Sequence, residues 1–590
     1  MDTDYDLKRT QTCGELNISH VKKEVILKGW VDRRRDLGNL IFIDIRDRQG
    51  KTQVVFNPSE NGEAHKKAEK LRSEYVVAVR GVVEQRLEAN KKIATGEIEV
   101  HATDLRILNE AETPPISISD DGGESEDVRL RYRYLDLRRP FMQRNLIFRH
   151  RVTQETRKLL TAEGFLEIET PILMKSTPEG ARDFLVPSRM NKGKFYALPQ
   201  SPQTYKQILM VGGYERYFQV ARCFRDEDLR ADRQLEFTQI DCELSFVNQN
   251  DVCEVFGKFL SDLFGNCMGI DVGVIPKMTY EEAMESYGCD KPDLRFGMAV
   301  KDMTDIFGST KFKIFESVIK SGGAIKGILG TGCGDFSRKI TDELTEFVGK
   351  YGAKGLVWLK VTENSLEGPS AKFFEPETLD EIKEDLEARA GDMVFMVAAD
   401  SKIASVSLGQ LRLEIAKRKN LLKRNEFKFT WVTDFPMFEF SETEQRWSST
   451  HHPFTAPLDE DISLMYSPEY FRSRAKAYDM VLNGTEIGGG SIRIHQTGLQ
   501  AKVFELLGIK PDEAQRKFGF LLEAFKYGAP PHGGIAFGLD RMVMIMLGLD
   551  SIRDVIPFPK TTTGSSLMDD CPSLVAKEQL DELGIEIKKT

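Results

Sequence analysis

The sequence predicts an α+β multidomain protein with an N-terminal β-barrel, a central domain on an antiparallel sheet, and an α+β domain inserted into that central domain. Three observations predict this class. At 590 residues the chain is too long for a single hydrophobic core. Short strands follow one another through the first hundred residues, as in a barrel. A glycine-rich stretch of different composition separates two later groups of strands with polar residues.

Composition excludes several classes of protein. With 41% hydrophobic and 29% charged residues, the chain has the composition of an ordinary globular protein. No apolar run approaches the roughly 18 residues of a membrane helix, and the acidic "MDTDYDLKRT" is neither a signal nor a transit peptide. The eight cysteines include no CxxC pair, so we expect reduced thiols, a cytoplasmic location and no zinc. The net charge of −10 still allows local basic faces that bind nucleic acid.

The first domain is predicted to be a barrel of five strands. From about residue 24 the sequence reads as short strands, with a helix between the third and fourth near residues 62–73. That order is typical of the OB-fold, which binds single-stranded nucleic acid on one face. Arginines 33–35 lie at the first hairpin, and Phe42 lies in the second strand, where its ring can stack on a base. An equally good interpretation places Phe42 in the barrel core.

Changes in composition predict the other boundaries. The stretch "AETPPISISDDGGESED" is rich in proline, glycine and acids, as linkers are, and residues 128–151 then hold eight arginines against one acid. The glycine-rich stretch lacks the histidines, arginines and acids concentrated on either side of it. The predicted domains are a barrel at 1–108, a linker at 109–140, a central domain at 141–295 and 425–558, an inserted domain at 296–424, and a C-terminal extension at 559–590.

A helix and a strand open the central domain. The helix is predicted over about residues 146–163 with Gly164 as its stop, and the strand "FLEIETPIL" follows. Pro171 lies inside this strand, and proline belongs at a strand edge or a bulge. An edge covered by a second copy of the chain is one place where this proline fits.

The segment "RCFRDEDLRADRQLEFTQID" joins two predicted core strands although ten of its twenty residues are charged. Its four arginines and six acids exceed what a solvated hairpin tip needs. In the second strand Gln239, Asp241 and Glu243 share one face because side chains alternate, and the opposite face is apolar. Arginine suits the bidentate capture of phosphate or carboxylate, so we interpret the segment as a fork that grips an anion.

The stretch "QSPQTYKQ" is predicted to begin a helix. Ser201 is a good N-cap and Pro202 a good residue for the first turn. Gln203 and Lys206 then lie three residues apart on one face of the helix, so both side chains can reach the same ligand.

The stretches "DMVLNGTEIGGGSIRIH" and "FGLDR" carry further polar candidates. Three consecutive glycines weaken a strand unless a ligand or another backbone approaches closely. Glu486 and Arg493 would face opposite sides of a regular strand, so a β-bulge is required if both serve one site. Arg541 lies in the first turn of a predicted helix, which is a favourable place for a phosphate.

Together these stretches resemble the three signature motifs of class II aminoacyl-tRNA synthetases: the helix and strand ending at Pro171, the fork with Arg225, and "GLDR" with Arg541. In order along the chain, "GWVDRRRDLG", "TPEGARDF", "QSPQTYKQ", "FRDEDLRADRQ", "EFTQID", "HHPF", "GGGSIRIH" and "FGLDR" are similar to stretches of the bacterial-type aspartyl-tRNA synthetases, which belong to subclass b. No Walker loop and no HIGH or KMSKS motif is present. The resemblance covers essentially the whole chain.

The resemblance implies a role for each matching residue. The implied catalytic residues are Arg225, Glu486 and Arg541. The implied aspartate-binding residues are Glu179, Ser201, Gln203, Lys206, Arg225, Gln239, Asp241, His451 and Arg493, with Asp241 orienting Arg493. The implied ATP-binding residues are Arg225, Asp226, Glu227, Gln234, Glu486, Gly538, Leu539, Asp540 and Arg541. Asp479 and Glu486 are the implied Mg²⁺ ligands, and Arg35, Phe42, Gln53 and Glu97 the implied anticodon readers.

The implied reaction activates L-aspartate with ATP, releases pyrophosphate and transfers aspartate to the 3′ end of tRNA-Asp. The resemblance also implies a homodimer in a bacterial cytoplasm. Lys206 with Arg493 speaks against the asparaginyl and lysyl branches of the class, because these two cations suit a carboxylate. Two alternatives stay open. One is an enzyme that also charges tRNA-Asn, against which Leu37 is the single indication; the other is a non-catalytic RNA-binding protein of the same fold.

Overall fold

The structure, a computed structural model, describes residues 8–177, 181–442 and 445–588. The described residues form two compact units: one ends at Asn145 and includes Ser566–Cys571, and the other comprises Leu146–Ser565 and the residues from Pro572 onward. Glu179, implied above in aspartate binding, lies outside the described residues. Within these ranges no helix combines the length and the apolar character needed to cross a membrane.

The N-terminal unit contains a closed barrel of five strands. Its elements are β1 (Glu24–Leu37), β2 (Leu40–Arg46), β3 (Lys51–Phe56), α1 (Gly62–Ala68), β4 (Val76–Gln85), β5 (Ile98–Asn109), α2 (Glu126–Arg131) and α3 (Arg133–Asp136). The strands close in the order β1-β2-β3-β5-β4, with α1 between the third and fourth strands of the sequence, which confirms the predicted barrel. Helix α1 is shorter than predicted, and α2 and α3 lie within the predicted linker.

The second unit carries the remaining elements. Its strands are β6 (Leu166–Glu167), β7 (Leu185–Pro187), β8 (Phe195–Ala197), β9 (Arg216–Phe224), β10 (Glu236–Ser245), β11 (Lys277–Thr279), β12 (Lys301–Asp302), β13 (Ala324–Gly330), β14 (Val357–Val361), β15 (Leu366–Glu367), β16 (Met393–Ala399), β17 (Phe429–Thr433), β18 (Phe438–Ser441), β19 (Arg446–Ser449), β20 (Ala477–Leu482), β21 (Thr485–Ile492) and β22 (His532–Gly538). The helices are α4 (Pro140–Ala162, which begins at the end of the first unit), α5 (Gln203–Val211), α6 (Gln249–Met268), α7 (Tyr280–Tyr287), α8 (Lys313–Lys320), α9 (Arg338–Gly349), α10 (Pro376–Asp385), α11 (Ser401–Arg418), α12 (Thr497–Leu506), α13 (Pro511–Phe525), α14 (Leu539–Met546) and α15 (Lys577–Leu583).

An eight-stranded sheet in the order β11-β17-β20-β21-β22-β10-β9-β6 forms the centre of this unit. The two outermost pairs are parallel and the other pairs antiparallel, which confirms the predicted antiparallel sheet. Alternation along β10 places Ile240, Cys242 and Leu244 in the core beside α6. The opposite face of β10 is therefore free to carry the polar residues of a site.

The inserted domain is a second sheet with its own core. Five antiparallel strands in the order β12-β13-β16-β14-β15 are covered by α8 to α11. Helix α9 begins after Ser337, an N-cap whose hydroxyl oxygen accepts a hydrogen bond from the Ile340 amide at 3.4 Å. The inserted α+β fold is thus confirmed.

Two predicted elements near the site are wrong. The predicted strand through Pro171 pairs only as β6, which ends at Glu167, four residues before the proline. Helix α5 begins one residue later than predicted, with Pro202 at the cap position and no capping side chain, so Ser201 is not the N-cap. Gln203 and Lys206 nevertheless lie in α5, as predicted.

Candidate active site

The candidate site lies on one face of the eight-stranded sheet, where small residues separate two polar groups. Across neighbouring strands Asp241 pairs with Ala536, Ala536 with Gly489, and Gly489 with Asp479. Directly paired residues of antiparallel strands project from the same face of the sheet. Because Ala536 and Gly489 have minimal side chains, the sheet surface between Asp241 and Asp479 is open.

A β-bulge in β21 brings Glu486 to the same face as Asp479. The ladder passes from Gly488 directly to Glu486 and leaves Ile487 as the extra residue, which confirms the predicted bulge. A Cβ on Gly489 would lie 2.7 Å from Asp479 Oδ1 and 3.4 Å from Glu486 Oε1. Glycine at this position therefore leaves room for the two carboxylates.

At the other end of the open strip, two buried cations converge on one carboxylate oxygen. Lys206 Nζ lies 3.3 Å from Glu243 Oε2, and Arg493 Nη2 donates to the same oxygen at 3.1 Å. Arg493 Nε donates to Glu243 Oε1 at 2.9 Å, so this pair is bidentate. Lys206 Nζ donates to Asp241 Oδ1 at 2.6 Å, while Asp241 Oδ2 has no hydrogen-bond partner among the described residues.

The assignment of Asp241 as the residue that orients Arg493 is therefore wrong. Asp241 orients Lys206, and Glu243 orients Arg493. Alternation predicts both carboxylates on one face of β10, but only the three-dimensional structure shows which cation each one meets. Although burial raises carboxyl pKa values, the nearby cations Arg493 and Lys206 hold the pKa of Glu243 at about 2.

The two adjacent histidines lie in different environments. His452 Nε2 lies 2.6 Å from Arg493 Nη1, and burial lowers the pKa of His452 well below its ordinary value, so this imidazole is neutral. His451 Nε2 lies 3.6 Å from Asp479 Oδ1, and its ring packs edge-on against Phe435. His451, predicted to contact aspartate, is thus beside the carboxylate pair, whereas His452 contacts the predicted specificity residue.

The carboxylates Asp479 and Glu486 interact with each other and with Lys291. Burial, with Glu486 nearby, raises the pKa of Asp479 to about 6. Burial would also raise the pKa of Glu486, but Lys291, whose Nζ lies 3.0 Å from Glu486 Oε2, holds it below its ordinary value. Two carboxylates beside an open strip fit Mg²⁺, which commonly takes one or two protein carboxylates and completes its coordination with phosphates and water. Within the described chain no cluster of three potential ligands occurs.

The predicted fork forms between β9 and β10. The Arg225 guanidinium lies 5.1 Å from the centre of the Phe237 ring and 3.9 Å from Glu227, and its side chain is 38% exposed. Glu227 accepts a hydrogen bond from Arg233 at 2.7 Å. Stacked on an aromatic ring and only loosely paired, Arg225 is preorganised to bind an anion. Asp226 follows it, and its amide donates to the Arg182 carbonyl at 3.2 Å.

Helix α14 presents Arg541 to the same region. Arg541 Nη1 donates to the Glu486 carbonyl at 2.7 Å and Nη2 to Asp232 at 3.1 Å. Arg541 Nε is buried and has no hydrogen-bond partner among the described residues. Gly538 precedes the helix at its cap position, and Leu539 is buried beneath it.

Two residues implied in ATP binding are used by the protein itself. The Asp540 carboxylate accepts from the Thr238 amide at 2.7 Å and pairs with Arg149, so it joins α14 to β10 and α4. The Gln234 amide group bonds to the backbone of Lys560 twice, as donor at 3.0 Å and as acceptor at 2.7 Å. These side chains hold the fork and its surroundings together, and their part in ATP binding stays a prediction.

The implied aspartate-binding glutamines lie near the buried charges. Gln203 is buried, and its Nε2 has no hydrogen-bond partner within the described residues. Gln239 lies two residues before Asp241 on the same face of β10, where its Oε1 accepts from the Cys223 thiol at 3.3 Å. Gln239 therefore lies on the polar face of β10, and Gln203 lies one turn before Lys206 in α5.

On the barrel, a chain of polar side chains crosses β1, β2, β3 and β5. Arg35 donates to Asp44 at 2.8 Å and to Gln53 at 2.9 Å, and Gln53 donates to Glu99 at 2.7 Å. His101 Nε2 lies 3.3 Å from Glu99 and its Nδ1 lies 3.2 Å from Glu60. The network thus contains Glu99; Glu97, the implied reader, is exposed outside it.

Phe42 lies on the outer face of the barrel, beside Arg35 in the register of β1 and β2. Its neighbours Ile41 and Ile43 are buried in the barrel core, whereas Phe42 is half-buried. The core interpretation of Phe42 is therefore wrong, and its ring lies on the same surface as the polar network.

Comparisons with known proteins agree with this geometry. Residues 125–562 match the family model described as tRNA synthetases class II (D, K and N). The chain belongs to this family. Residues 25–108 match the OB-fold nucleic acid binding domain.

Class II relatives match this chain along nearly all of its length. The chain is 55% identical to the aspartate--tRNA(Asp/Asn) ligase of Caldanaerobacter subterraneus subsp. tengcongensis, with 98% of each chain covered. It is 54% identical to the aspartate--tRNA ligase of Ruminiclostridium cellulolyticum, with 99% of each chain covered. Its fold is similar to that of an asparaginyl-tRNA synthetase from Pyrococcus horikoshii, with a TM-score of 0.60, 19% identity, and 94% of this chain and 98% of that chain covered.

Sequence reasoning named most of the residues brought together here but missed several. Glu243 was placed on the correct face of β10 without a role, and its alternation with Asp241 was the signal that could have found it. His452, Lys291, Asp232 and Glu99 gave no signal of their own, because each acquires its partner from a distant part of the chain.

Proposed function

We propose that this chain activates L-aspartate with ATP and joins it to tRNA. The observation that carries the proposal is the buried pair Lys206 and Arg493, each 2% exposed and both directed at one oxygen of Glu243. Two such cations suit the side-chain carboxylate of aspartate. Asparagine would leave their charge uncompensated at a cost of several kcal/mol, or roughly 10³-fold in specificity.

The ATP would lie over the open strip of the sheet. Arg225 would bind the α-phosphate and the α-carboxylate of aspartate, and Arg541 would bind the γ-phosphate. Attack of the aspartate α-carboxylate oxygen on the α-phosphorus then forms aspartyl-adenylate and releases pyrophosphate. No protein base is required, because catalysis consists of positioning and of neutralising charge on the phosphates.

Asp479 and Glu486 are the residues that would hold Mg²⁺. When bound, the metal ion would neutralise phosphate charge and orient the leaving pyrophosphate. In the second step, the 3′-hydroxyl of the terminal tRNA ribose attacks the aspartyl carbonyl and AMP leaves. Gln203 and Gln239 would read the ammonium and carboxylate groups of aspartate, and His451 would add a contact near the carboxylate pair. We further expect a homodimer in a bacterial cytoplasm.

A second candidate function is the charging of both tRNA-Asp and tRNA-Asn. It is favoured by the printed name of the relative from Caldanaerobacter subterraneus, aspartate--tRNA(Asp/Asn) ligase. The opposite indication, Leu37, is a single exposed residue at the end of β1. Its association with a discriminating enzyme stays a prediction.

Aminoacylation with radiolabelled aspartate on two purified transcripts, tRNA-Asp and tRNA-Asn, tests both candidates. Charging of tRNA-Asp alone supports a discriminating enzyme, and charging of both supports the wider function. Aspartate-dependent exchange of pyrophosphate into ATP, measured without tRNA, tests the first step separately. Absence of both exchange and charging would contradict the proposal and favour a non-catalytic RNA-binding protein.

A further inference from the structure

The segment 288–297, here called the junction loop, runs from the end of α7 toward the inserted domain. Gly288 has a φ of 68°, and a Cβ there would lie 1.9 Å from the Ser405 carbonyl oxygen of α11. A Cβ on Gly409 of α11 would in turn lie 3.0 Å from Gly288 Cα. The backbones of loop and helix therefore touch, and side chains at these two positions would force them apart.

Arg412 of α11 binds the same loop from within the inserted domain. Its Nη2 donates to the carbonyl oxygens of Asp293 at 2.9 Å and Gly297 at 3.1 Å. The guanidinium lies between the rings of Tyr287 and Phe296, 4.9 Å and 4.5 Å from their centres. Because Arg412 is fully buried, these carbonyl and ring partners offset part of its desolvation, and they fix the path of the junction loop.

The other side of the junction loop packs on the hairpin of β20 and β21. A Cβ on Gly484, in the turn of this hairpin, would lie 3.1 Å from Asp293 Cβ. Glu486 lies two residues after Gly484 in the hairpin, and its Oε2 is 3.0 Å from Lys291 Nζ. The junction loop thus connects the inserted domain directly to the strands that carry Asp479 and Glu486.

We propose that Lys291 is a further positioning residue of the ATP site, held at Glu486 by the inserted domain so that its charge balances the carboxylate pair. This inference rests on the proposed function. Without Lys291, two adjacent carboxylates would present two negative charges to the triphosphate of ATP. With Lys291, the cluster is one unit less negative, and Glu486 keeps its orientation when no metal ion is bound.

Charge balance makes a specific prediction about the role of Mg²⁺ in nucleotide binding. Removal of the ammonium group in Lys291→Met should weaken binding of metal-free ATP more than binding of Mg²⁺-ATP, because the metal ion supplies the missing positive charge. Equilibrium binding of α,β-methylene ATP measures this effect as a ratio, in which the dissociation constant without Mg²⁺ is divided by the dissociation constant with Mg²⁺. We expect this ratio to rise about tenfold in Lys291→Met and to return to the wild-type value in Lys291→Arg.

A separate variant, Arg412→Met, tests whether the inserted domain holds Lys291 at Glu486. Arg412→Met should release the junction loop and raise the ratio in the same direction as Lys291→Met, although Arg412 makes its contacts with the loop and not with the carboxylates. Arg418→Met on the same helix is the matched control. Arg418 pairs with Glu343 and Glu414, and its loss should leave the ratio unchanged. Circular dichroism and thermal unfolding establish which variants are folded.

Each outcome decides one statement. An unchanged ratio in Lys291→Met overturns the charge-balancing role of Lys291. A changed ratio in Lys291→Met with a wild-type ratio in folded Arg412→Met overturns the role of the inserted domain. If Arg412→Met does not fold, Gly409→Ala, which forces α11 away from Gly288, provides the second test. Failure of the wild-type chain to bind the analogue or to exchange pyrophosphate would instead contradict the proposed function.

Discussion

At the scale of single residues, the site brings four charges into a nearly solvent-free environment. Lys206 and Arg493 are each 2% exposed, and Asp241 and Glu243 are completely buried. Each ion loses several kcal/mol of hydration, which only close pairing can offset. The four charges sum to zero, so a further carboxylate from a ligand would make the site net negative. We infer that its binding requires both cations to be shared between Glu243 and the ligand.

Glu243→Gln tests this sharing. Removing the charge of Glu243 leaves Lys206 and Arg493 with Asp241 as the remaining buried anion of the four. We expect kcat/KM for aspartate in pyrophosphate exchange to fall at least about 100-fold, and stability to fall by about 3 kcal/mol. Glu236→Gln is the matched control, since Glu236 lies on the opposite face of β10 and pairs with Arg222. A wild-type KM for aspartate in Glu243→Gln would contradict the assignment.

The pH dependence of folding stability tests the contribution of His101 to the polar network of the barrel. Its hydrogen bond to Glu99, with further help from Glu60, outweighs the opposing effect of burial and raises the pKa of His101 from 6.5 to about 9. A histidine whose folded pKa is raised stabilises the fold fully below the unfolded pKa and loses that contribution as pH rises through the folded pKa. His101→Gln should therefore lower stability by about 1 kcal/mol below pH ~6.5 and have no effect above pH ~9.

Thermal unfolding of wild-type and His101→Gln chains between pH 6 and 10 measures this difference. The gap between the two Tm values should close as pH rises. A gap of equal size at both ends of the range would mean that His101 contributes by packing and not by charge.

At the scale of elements, α14 separates two functions in consecutive residues. Asp540 is turned into the protein, where it accepts from the Thr238 amide and pairs with Arg149, and Arg541 is turned toward Asp232 of the fork and the Glu486 backbone. Successive residues of a helix point about 100° apart, so one can join elements while the next serves the site.

We expect Asp540→Asn to reduce stability by about 3 kcal/mol, because a buried partner of Arg149 loses its charge. The folded fraction should bind ATP within about threefold of wild type. Arg541→Ala should do the reverse, with little change in Tm and an ATP affinity lowered by about tenfold or more. Thermal unfolding together with equilibrium ATP binding distinguishes the two, and loss of ATP affinity in well-folded Asp540→Asn would support a direct role of Asp540 in ATP binding.

Elements were predictable where one local pattern decided them. Alternation in β10 predicted its polar face, and the need to bring Glu486 and Arg493 to one site predicted the bulge at Ile487. The predicted strand through Pro171 was wrong beyond Glu167, because the apolar pattern continues past the point where the ladder ends. Which cation Asp241 meets was not predictable, because the answer depends on the approach of α5 and not on β10 itself.

At the scale of the whole molecule, the strand order of the barrel and the resemblance of the other unit to class II synthetases predict separate tasks for the two units. The polar network and Phe42 lie on the barrel, and the buried charges lie on the eight-stranded sheet of the other unit. The contribution of the inserted domain was not predictable, since Arg412 reaches the junction loop from more than a hundred residues away in the sequence.

Phe42→Ala tests the division between the units. If the half-buried ring stacks on a base of the tRNA, its loss removes about 1–3 kcal/mol of binding, so KM for tRNA in aminoacylation should rise about 10-fold or more. Pyrophosphate exchange without tRNA should keep its wild-type rate, because that reaction uses only residues of the sheet. Leu87→Ala, at a fully exposed position of the same unit, is the matched control.

The comparison of the two assays decides how the change acts. A folding defect in the barrel would lower the amount of active protein and reduce both rates together, in Phe42→Ala but not in Leu87→Ala. Loss of a contact with tRNA raises the KM for tRNA, which does not depend on the concentration of active enzyme, and leaves the exchange rate unaffected. An unchanged KM for tRNA would mean that the exposed face of Phe42 does not stack on a base, and that Arg35 and Gln53 must recognise the anticodon without it.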